Sequence, residues 1–223
     1  MKKEKDENNK NCALIIANGT IRDYERIREL MSSYCRNDPI IISADGGIEN
    51  TYKLGLKPHI VIGDMDSLDR KKYEKLSSGV RFISADPEKD ESDTRLAVEY
   101  ARDKGIRDII IIGAAGGRLD HTFANMLILA SPELKYASVK IITEDSEISC
   151  MHGSGKISGK AGNIISIFSL APYTSFIKTS GLKYPLVGEK LYQSPVRGLS
   201  NVFTSDEASL EFDKGRLLII KQI

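Results

Sequence analysis

Short apolar runs alternate with amphipathic segments through the first two thirds of the chain. The runs fall at Ala13–Ala17, Ile40–Ser43, Ile60–Ile62, Val80–Ile83, Asp108–Ile112 and Val139–Ile142. Each is brief and rich in β-branched residues, as buried strands are. Between the first two, Tyr24, Ile27, Leu30, Met31 and Tyr34 recur at helical spacing. Asp93–Lys104 carries Leu96, Ala97, Tyr100 and Ala101 on one face and stops at Gly105, a residue type that readily ends a helix in the left-handed conformation. A further helix is predicted from about His121 to Ala130, ahead of Pro132. Near-continuous apolar strands joined by helices predict a parallel sheet covered on both faces. The expected fold class is therefore α/β, opening with a Rossmann-like domain of parallel strands.

Near Asp145 the pattern changes. Gly and Ser crowd Gly153–Gly162, and short strand-like runs follow with no helical period. Ile164–Leu170 is the strongest of them. Ser209–Phe212 and Arg216–Lys221 flank Asp213-Lys214-Gly215, which reads as a β-hairpin. Such a stretch predicts a smaller all-β sandwich domain. The expected organisation is a polar, disordered tail over 1–11, a catalytic α/β domain over 12–147 and a β-sandwich over 148–223.

Charge removes some functions. The 223 residues carry 32 basic and 31 acidic side chains, a balance that argues against a nonspecific nucleic-acid coat or a polybasic membrane binder. No apolar run reaches the length of a membrane span. Cys12, Cys35 and Cys150 are odd in number and lack metal-ligand spacing. They predict buried packing thiols in a reduced, cytoplasmic setting.

Ligands of open parallel sheets bind beyond the carboxyl ends of the strands, so the polar residues are read strand end by strand end. After the second run comes Ala44-Asp45-Gly46-Gly47, whose glycines permit close backbone approach. After the third comes Gly63-Asp64-Met65-Asp66-Ser67. In extended backbone Asp64 and Asp66 point to the same side, and two such charges about 4 Å apart cost roughly 4 kcal/mol at an effective dielectric near 20. Either Mg²⁺ neutralises the pair, since that ion bridges carboxylates to phosphate oxygens, or this is a solvated turn in which Ser67 caps a helix.

After the fourth run comes the charged loop Asp86–Asp93, with Lys89 and Asp90, and after the fifth Gly113-Ala114-Ala115-Gly116-Gly117-Arg118-Leu119-Asp120-His121. A glycine-rich turn at a helix start presents N–H groups suited to phosphate, and Arg118 could add charge-assisted bonds. His121 reads as a helix-start histidine, and Asn125 packs or binds. Co-location at one sheet edge makes the set a metal–polyphosphate site.

These residues resemble the thiamine pyrophosphokinase family. The resemblance rests on Ala44–Gly47, Gly63–Ser67, Lys89–Asp93 and Gly116–His121, and on Ser180-Gly181-Leu182-Lys183-Tyr184-Pro185-Leu186 and Gly198-Leu199-Ser200-Asn201 in the β-rich part. It implies transfer of diphosphate from ATP to the hydroxyl of thiamine, with release of AMP. It also implies an α/β domain followed by a β-sandwich, in a homodimer with active sites between subunits. Carried over, Asp64, Asp66 and Asp93 are the acidic Mg²⁺ and catalytic positions, with Asp45 close by. Gly46, Gly47, Lys89, Asp90, Gly116 and Gly117 belong to the ATP side, and Arg118 and Asp120 to phosphate handling and substrate orientation. Tyr184 stands where an aromatic meets thiamine, with Ser180, Ser200 and Asn201 in the remaining substrate motifs.

Three positions depart from the family pattern: Met65 for the usual Phe, Glu49 for Asn and Val202 for an acid. Two alternatives accompany the resemblance. One is a pyrophosphokinase of a pterin-like alcohol, against which the Gly181–Leu186 motif speaks. The other is a catalytically silent thiamine or nucleotide sensor, which would lack an acid or the arginine of the cluster.

Overall fold

A computed structural model describes residues 11–35, 38–64, 79–84 and 91–223. The expected tail, apart from Asn11, therefore lies outside the described residues, as do Met65, Asp66, Lys89 and Asp90. The fold is mixed α/β, and the chain divides into two compact units. The first comprises the residues up to Ile128 with Tyr136–Glu144, and the second comprises Leu129–Lys135 with Asp145–Ile223.

In the first unit, β1 (Cys12–Ile16), β2 (Ile40–Ala44), β3 (Ile60–Gly63), β4 (Arg81–Ser84), β5 (Asp108–Ile112) and β6 (Ser138–Ile142) lie in the order β6-β5-β1-β2-β3-β4. Every neighbouring pair in that order is parallel. β1 and β3 are buried at every residue, which is why their sequences are unbroken apolar runs rather than alternating ones. The order reverses at β1: the strands proceed outward to β4 on one side, then return to β5 on the other. The connections after β1 and β5 therefore lead to opposite sides of this point, the place where a ligand crevice is expected.

Four helices follow strand ends: α1 (Tyr24–Tyr34), α2 (Gly47–Lys53), α3 (Asp93–Asp103) and α4 (Leu119–Ile128). Asp23 caps α1 by accepting from the Arg26 N–H at 2.9 Å, and Ser92 caps α3 by accepting from Arg95 N–H at 3.3 Å, each satisfying a donor the helix itself leaves open. α3 buries Ala97, Val98 and Ala101 and ends at Lys104 before Gly105, whose φ is +81°. α4 starts two residues before the predicted His121. α2 has no apolar period long enough to signal a helix; its place is set by Gly47, which sits directly on the backbone of Ile16.

The cysteine expectation is corrected. Cys12 and Cys35 form a disulfide, with Cα atoms 6.4 Å apart, and Cys150 alone is free. Spacing along the chain could not reveal it, because the bond ties the first residue of β1 to the residue that ends α1. Burial raises the Cys150 thiol to about 12, so this thiol stays protonated.

In the second unit, β7 (Ser146–Met151), β9 (Ile164–Ser169), β12 (Asn201–Val202) and β14 (Leu217–Gln222) pair antiparallel in the order β12-β9-β14-β7. A second antiparallel sheet takes β8 (Gly155–Ser158), β10 (Tyr173–Ser180), β11 (Lys190–Tyr192) and β13 (Glu207–Lys214) in the order β11-β10-β13-β8. Ile165, Ile167, Leu217 and Ile219 from the first sheet and Phe176, Leu210 and Phe212 from the second share one apolar cluster. β9 and β13 alternate buried and less buried residues, the period-two signature of strands with one face on a core.

The predicted hairpin is also corrected. β13 pairs with β10 and β8, whereas β14 pairs with β7 and β9. Asp213-Lys214-Gly215 therefore carries the chain from one sheet to the other. Both flanking runs keep inward apolar residues in either arrangement, so the alternation alone could not tell a hairpin from a crossing. Lys221 and Glu147 face one another in the β14–β7 register and form a buried ion pair at 3.4 Å. Among the described residues no helix is long and apolar enough to cross a membrane.

Candidate active site

The carboxyl ends of β1, β2 and β5 and the start of α3 enclose a cavity of about 510 Å³. Its wall is built from Ala17–Thr20 after β1, Asp45 after β2, Ser92–Thr94 at the start of α3, and Gly113, Gly116, Gly117 and Arg118 after β5. His121 and Asn125 of α4 complete it. The cavity stands where the strand order reverses, the place that elementary α/β topology assigns to a ligand.

Asp45 has φ +43°, a left-handed conformation that Asp tolerates better than most residues. Its N–H donates to Ile62 O at 2.7 Å, and Gly63, lacking a Cβ, leaves room for the Asp45 Cβ beside it. Asp45 is thereby fixed next to the end of β3, where Asp64 follows as a half-buried residue outside the cavity lining. Asp93, the first residue of α3, does line the cavity. Gly46 and Gly47 do not. They are buried against Asn18 and Ile16 and serve close packing.

The donor set at these neighbouring ends is made of carboxylate oxygens, the chemistry Mg²⁺ selects, and one or two carboxylates with substrate phosphates suffice for that ion. Among the described residues no three acidic, histidine or cysteine side chains form a ready-made metal cage. Asp66 lies outside them.

The turn after β5 differs from a simple amide cradle. Gly116 N–H donates to Thr122 Oγ1 at 3.2 Å, while Thr122 Oγ1 donates to Arg118 O at 3.0 Å. One of the turn's N–H groups is thus spent on holding its own shape. Arg118 forks onto Asp120, with Nη2 at 2.6 Å from Oδ2 and Nε at 3.2 Å from Oδ1. That guanidinium, helped by the His121 N–H, lowers the Asp120 carboxyl to about 2. Asp120 itself stands outside the cavity lining. Asn125 is buried and donates from Nδ2 to Ala114 O at 2.8 Å.

The second unit holds a separate cavity of about 340 Å³, walled by Tyr184, Pro185, Leu186, Leu199 and Ile167 and bearing Glu189, Arg197 and Asn201. Glu189 and Arg197 are ion-paired. Asn201 is buried and clasps the backbone of Tyr184: Oδ1 accepts from its N–H at 3.0 Å and Nδ2 donates to its carbonyl at 2.7 Å. Tyr184 is 59 % exposed and stands at the cavity wall. Ser180 and Ser200 are exposed and outside the lining; Ser200 N–H donates to Ser166 Oγ at 3.1 Å.

The family model described as the catalytic domain of thiamin pyrophosphokinase matches residues 31–143, more than half of the chain. The chain belongs to the thiamine pyrophosphokinase family. The family's vitamin B1 binding domain matches residues 147–217. A thiamine pyrophosphokinase of Bacillus subtilis is 26 % identical over 197 residues, covering 86 % of this chain and 91 % of its own. A crystal structure of thiamine pyrophosphokinase from that organism is similar at TM-score 0.82 and 24 % identity, covering 95 % of this chain and 98 % of that one. The yeast thiamin pyrophosphokinase structure has TM-score 0.78 at 17 % identity, covering 96 % and 87 %. Thiamine pyrophosphokinases transfer the diphosphate of ATP to thiamine, and this chain is an ATP-dependent diphosphotransferase of that kind.

Of the residues expected from the thiamine pyrophosphokinase motifs, Asp45, Asp93, Gly116, Gly117 and Arg118 meet in one cavity, and Tyr184 and Asn201 meet in the other. The loop Ala17–Thr20 was missed, although it lines the first cavity. Its signal was available: the first apolar run ends there, at the strand where the order reverses. Asn18 and Thr20, however, are small polar residues with no chemistry of their own to attract notice.

Proposed function

We propose that the first unit is a Rossmann-like domain whose cavity binds ATP with Mg²⁺, and that the second is a β-sandwich whose cavity receives thiamine. The observation that carries this reading is the convergence of Asp45, Asp93 and Arg118 with the loops after β1 and β5 on one cavity at the reversal of strand order. Asp64, Asp66 and Asp93 would hold Mg²⁺, with Asp45 as a further carboxylate of the site, and the ion when bound offsets charge on the phosphate oxygens. Lys89 and Asp90 belong to the same ATP side. In the second unit, the exposed aromatic wall of Tyr184 suits a permanently cationic ring, with Glu189, which is paired to Arg197, beside it.

The hydroxyl oxygen of thiamine forms a bond to the β-phosphorus of ATP. The bond from that phosphorus to the oxygen bridging the α-phosphate breaks, AMP leaves with the electron pair, and the hydroxyl proton is released to solvent. Such transfers are governed by positioning and charge neutralisation. Arg118 is poised to exchange its Asp120 partner for phosphate oxygens, because both residues are exposed and a guanidinium forks onto either anion. Until that exchange Asp120 is held ionised by Arg118, and it acts by orienting the guanidinium before ATP arrives. A homodimer with active sites between subunits belongs to the same reading and is supported by the family resemblance.

Product analysis tests the proposal. Purified protein with thiamine, ATP and Mg²⁺ should yield thiamine diphosphate and AMP in equal amounts. Thiamine monophosphate with ADP would overturn the attack on the β-phosphorus.

A further inference from the structure

The loop after β1 is gripped from two sides. On one side Ala17 N–H donates to Ile112 O at 2.8 Å and Gly19 N–H to Gly113 O at 2.7 Å. On the other side a single side chain takes both carbonyls: Asn50 Nδ2 donates to Ala17 O and to Gly19 O, each at 2.9 Å. The remaining end of the amide is also used, with Asn50 Oδ1 accepting from Tyr24 Oη at 2.8 Å. These partners fix the amide's orientation, since the reverse would set an oxygen against two carbonyls. Asn50 is buried and does not itself line the cavity.

The platform beneath it is stiff. Asn50 stands in α2, whose Thr51 Oγ1 donates to Gly47 O at 2.9 Å and lies 2.7 Å from Ser43 Oγ of β2. Gly113, at φ +69°, passes so close that a Cβ there would stand 2.5 Å from Ala17 O and 3.3 Å from Asn50 Nδ2. Asn50 therefore joins the ends of β1 and β5 and the start of α1 at one buried point. With the backbone of residues 17 and 19 consumed on both flanks, Asn18 and Thr20 are the loop residues presented to a ligand.

We infer that Asn50 is a positioning residue that shapes the nucleotide side of the cavity by holding the Ala17–Thr20 loop in its binding conformation. The inference rests on the reading of that cavity as the ATP site. Asn50→Asp keeps the size of the side chain and the acceptor for Tyr24, but removes both donors to the loop. Loss of two such bonds should weaken ATP by about tenfold or more.

The experiment measures ATP affinity calorimetrically and the KM of each substrate for Asn50→Asp, Tyr24→Phe and Arg118→Ala, with a melting curve for each. Asn50→Ala replaces Asn50→Asp if the latter does not fold. The expected result is a rise of about tenfold or more in Kd and KM for ATP in the Asn50 variant, an unchanged KM for thiamine, and a smaller rise for ATP in Tyr24→Phe, where the two loop carbonyls still orient the amide. Unchanged ATP affinity in a folded Asn50 variant, with Arg118→Ala weakened, overturns the inference alone. Equal rises in both KM values also overturn it, since a merely structural role moves them together. Unchanged ATP affinity in Arg118→Ala overturns the reading of the cavity and the inference with it.

Discussion

Gly47 begins its helix against the carbonyl of Ile16, so close that a Cβ would stand 2.1 Å from the oxygen and 2.8 Å from the carbon. Both contacts are backbone, and Ile16 is fully buried, so neither can yield without separating α2 from β1. Gly47→Ala should destabilise the protein by about 2 kcal/mol or more, read as a lower urea midpoint. It should also weaken ATP, because α2 carries Asn50. A midpoint equal to wild type would contradict the packing.

Asp120 gives a prediction with a definite sign. Its folded pKa of about 2 lies below the ordinary 3.8, so the stabilisation it adds is present above the ordinary value and is lost as pH falls toward 2. Nothing in the neutral range should change it. Carboxyl-carbon NMR of Arg118→Ala should show Asp120 titrating back toward 3.8, and Asp120→Asn should leave any acid limb of kcat in place. Disappearance of that limb in Asp120→Asn would make Asp120 the proton acceptor after all.

Tyr184→Ala should raise KM for thiamine by about 2- to 30-fold, the range of a cation–π contact worth 0.5–2 kcal/mol. KM for ATP should stay constant, since the ring belongs to the other cavity. Steady-state kinetics with each substrate varied in turn decide it, and equal shifts in both would contradict the placement.

The Cys12–Cys35 bond spans 23 residues, a loop whose closure should add about 3 kcal/mol by constraining the unfolded chain. Cys35→Ser should therefore lower the melting temperature of the oxidised protein, and dithiothreitol should do the same to wild type and nothing further to the variant. Identical melting with and without reductant in wild type would show that the bond adds nothing.

Removing divalent ions with EDTA should abolish turnover, and Mg²⁺ should restore it. Asp93→Asn should lower kcat by about 10²-fold or more, the scale of losing one electrostatic contact to a transition state, with melting nearly unchanged. Full activity in EDTA would remove the metal from the reading.

The strands of the first unit were legible because burial on both faces writes an uninterrupted apolar run, as in Ile109–Ile112. Carboxylates and glycines at their ends were legible because few residue types do that chemistry. What escaped depends on partners distant in the chain. Asn50 looks like any polar helix residue until Ala17, Gly19 and Tyr24 surround it, and Cys12 meets Cys35 only after α1 has folded back. The run Ser209–Lys221 read as a hairpin because adjacency in sequence is the commonest route to pairing, and only the third dimension shows its halves in different sheets. Gly46 and Gly47 signal close backbone approach in the sequence, and in the fold their missing side chains make room for Asn18 and Ile16.

β14 lies between β7 and β9, with its register running from Leu217 opposite Met151 to Gln222 opposite Ser146. A ribosome delivers both flanking strands well before the one that joins them. Until Leu217–Gln222 emerges, the edges awaiting it stay open to other strands, and Glu147 has yet to meet Lys221. This sheet is therefore completed only after its other strands have been made, and a chain that stops short of Leu217 leaves two strand edges open to pairing with other chains.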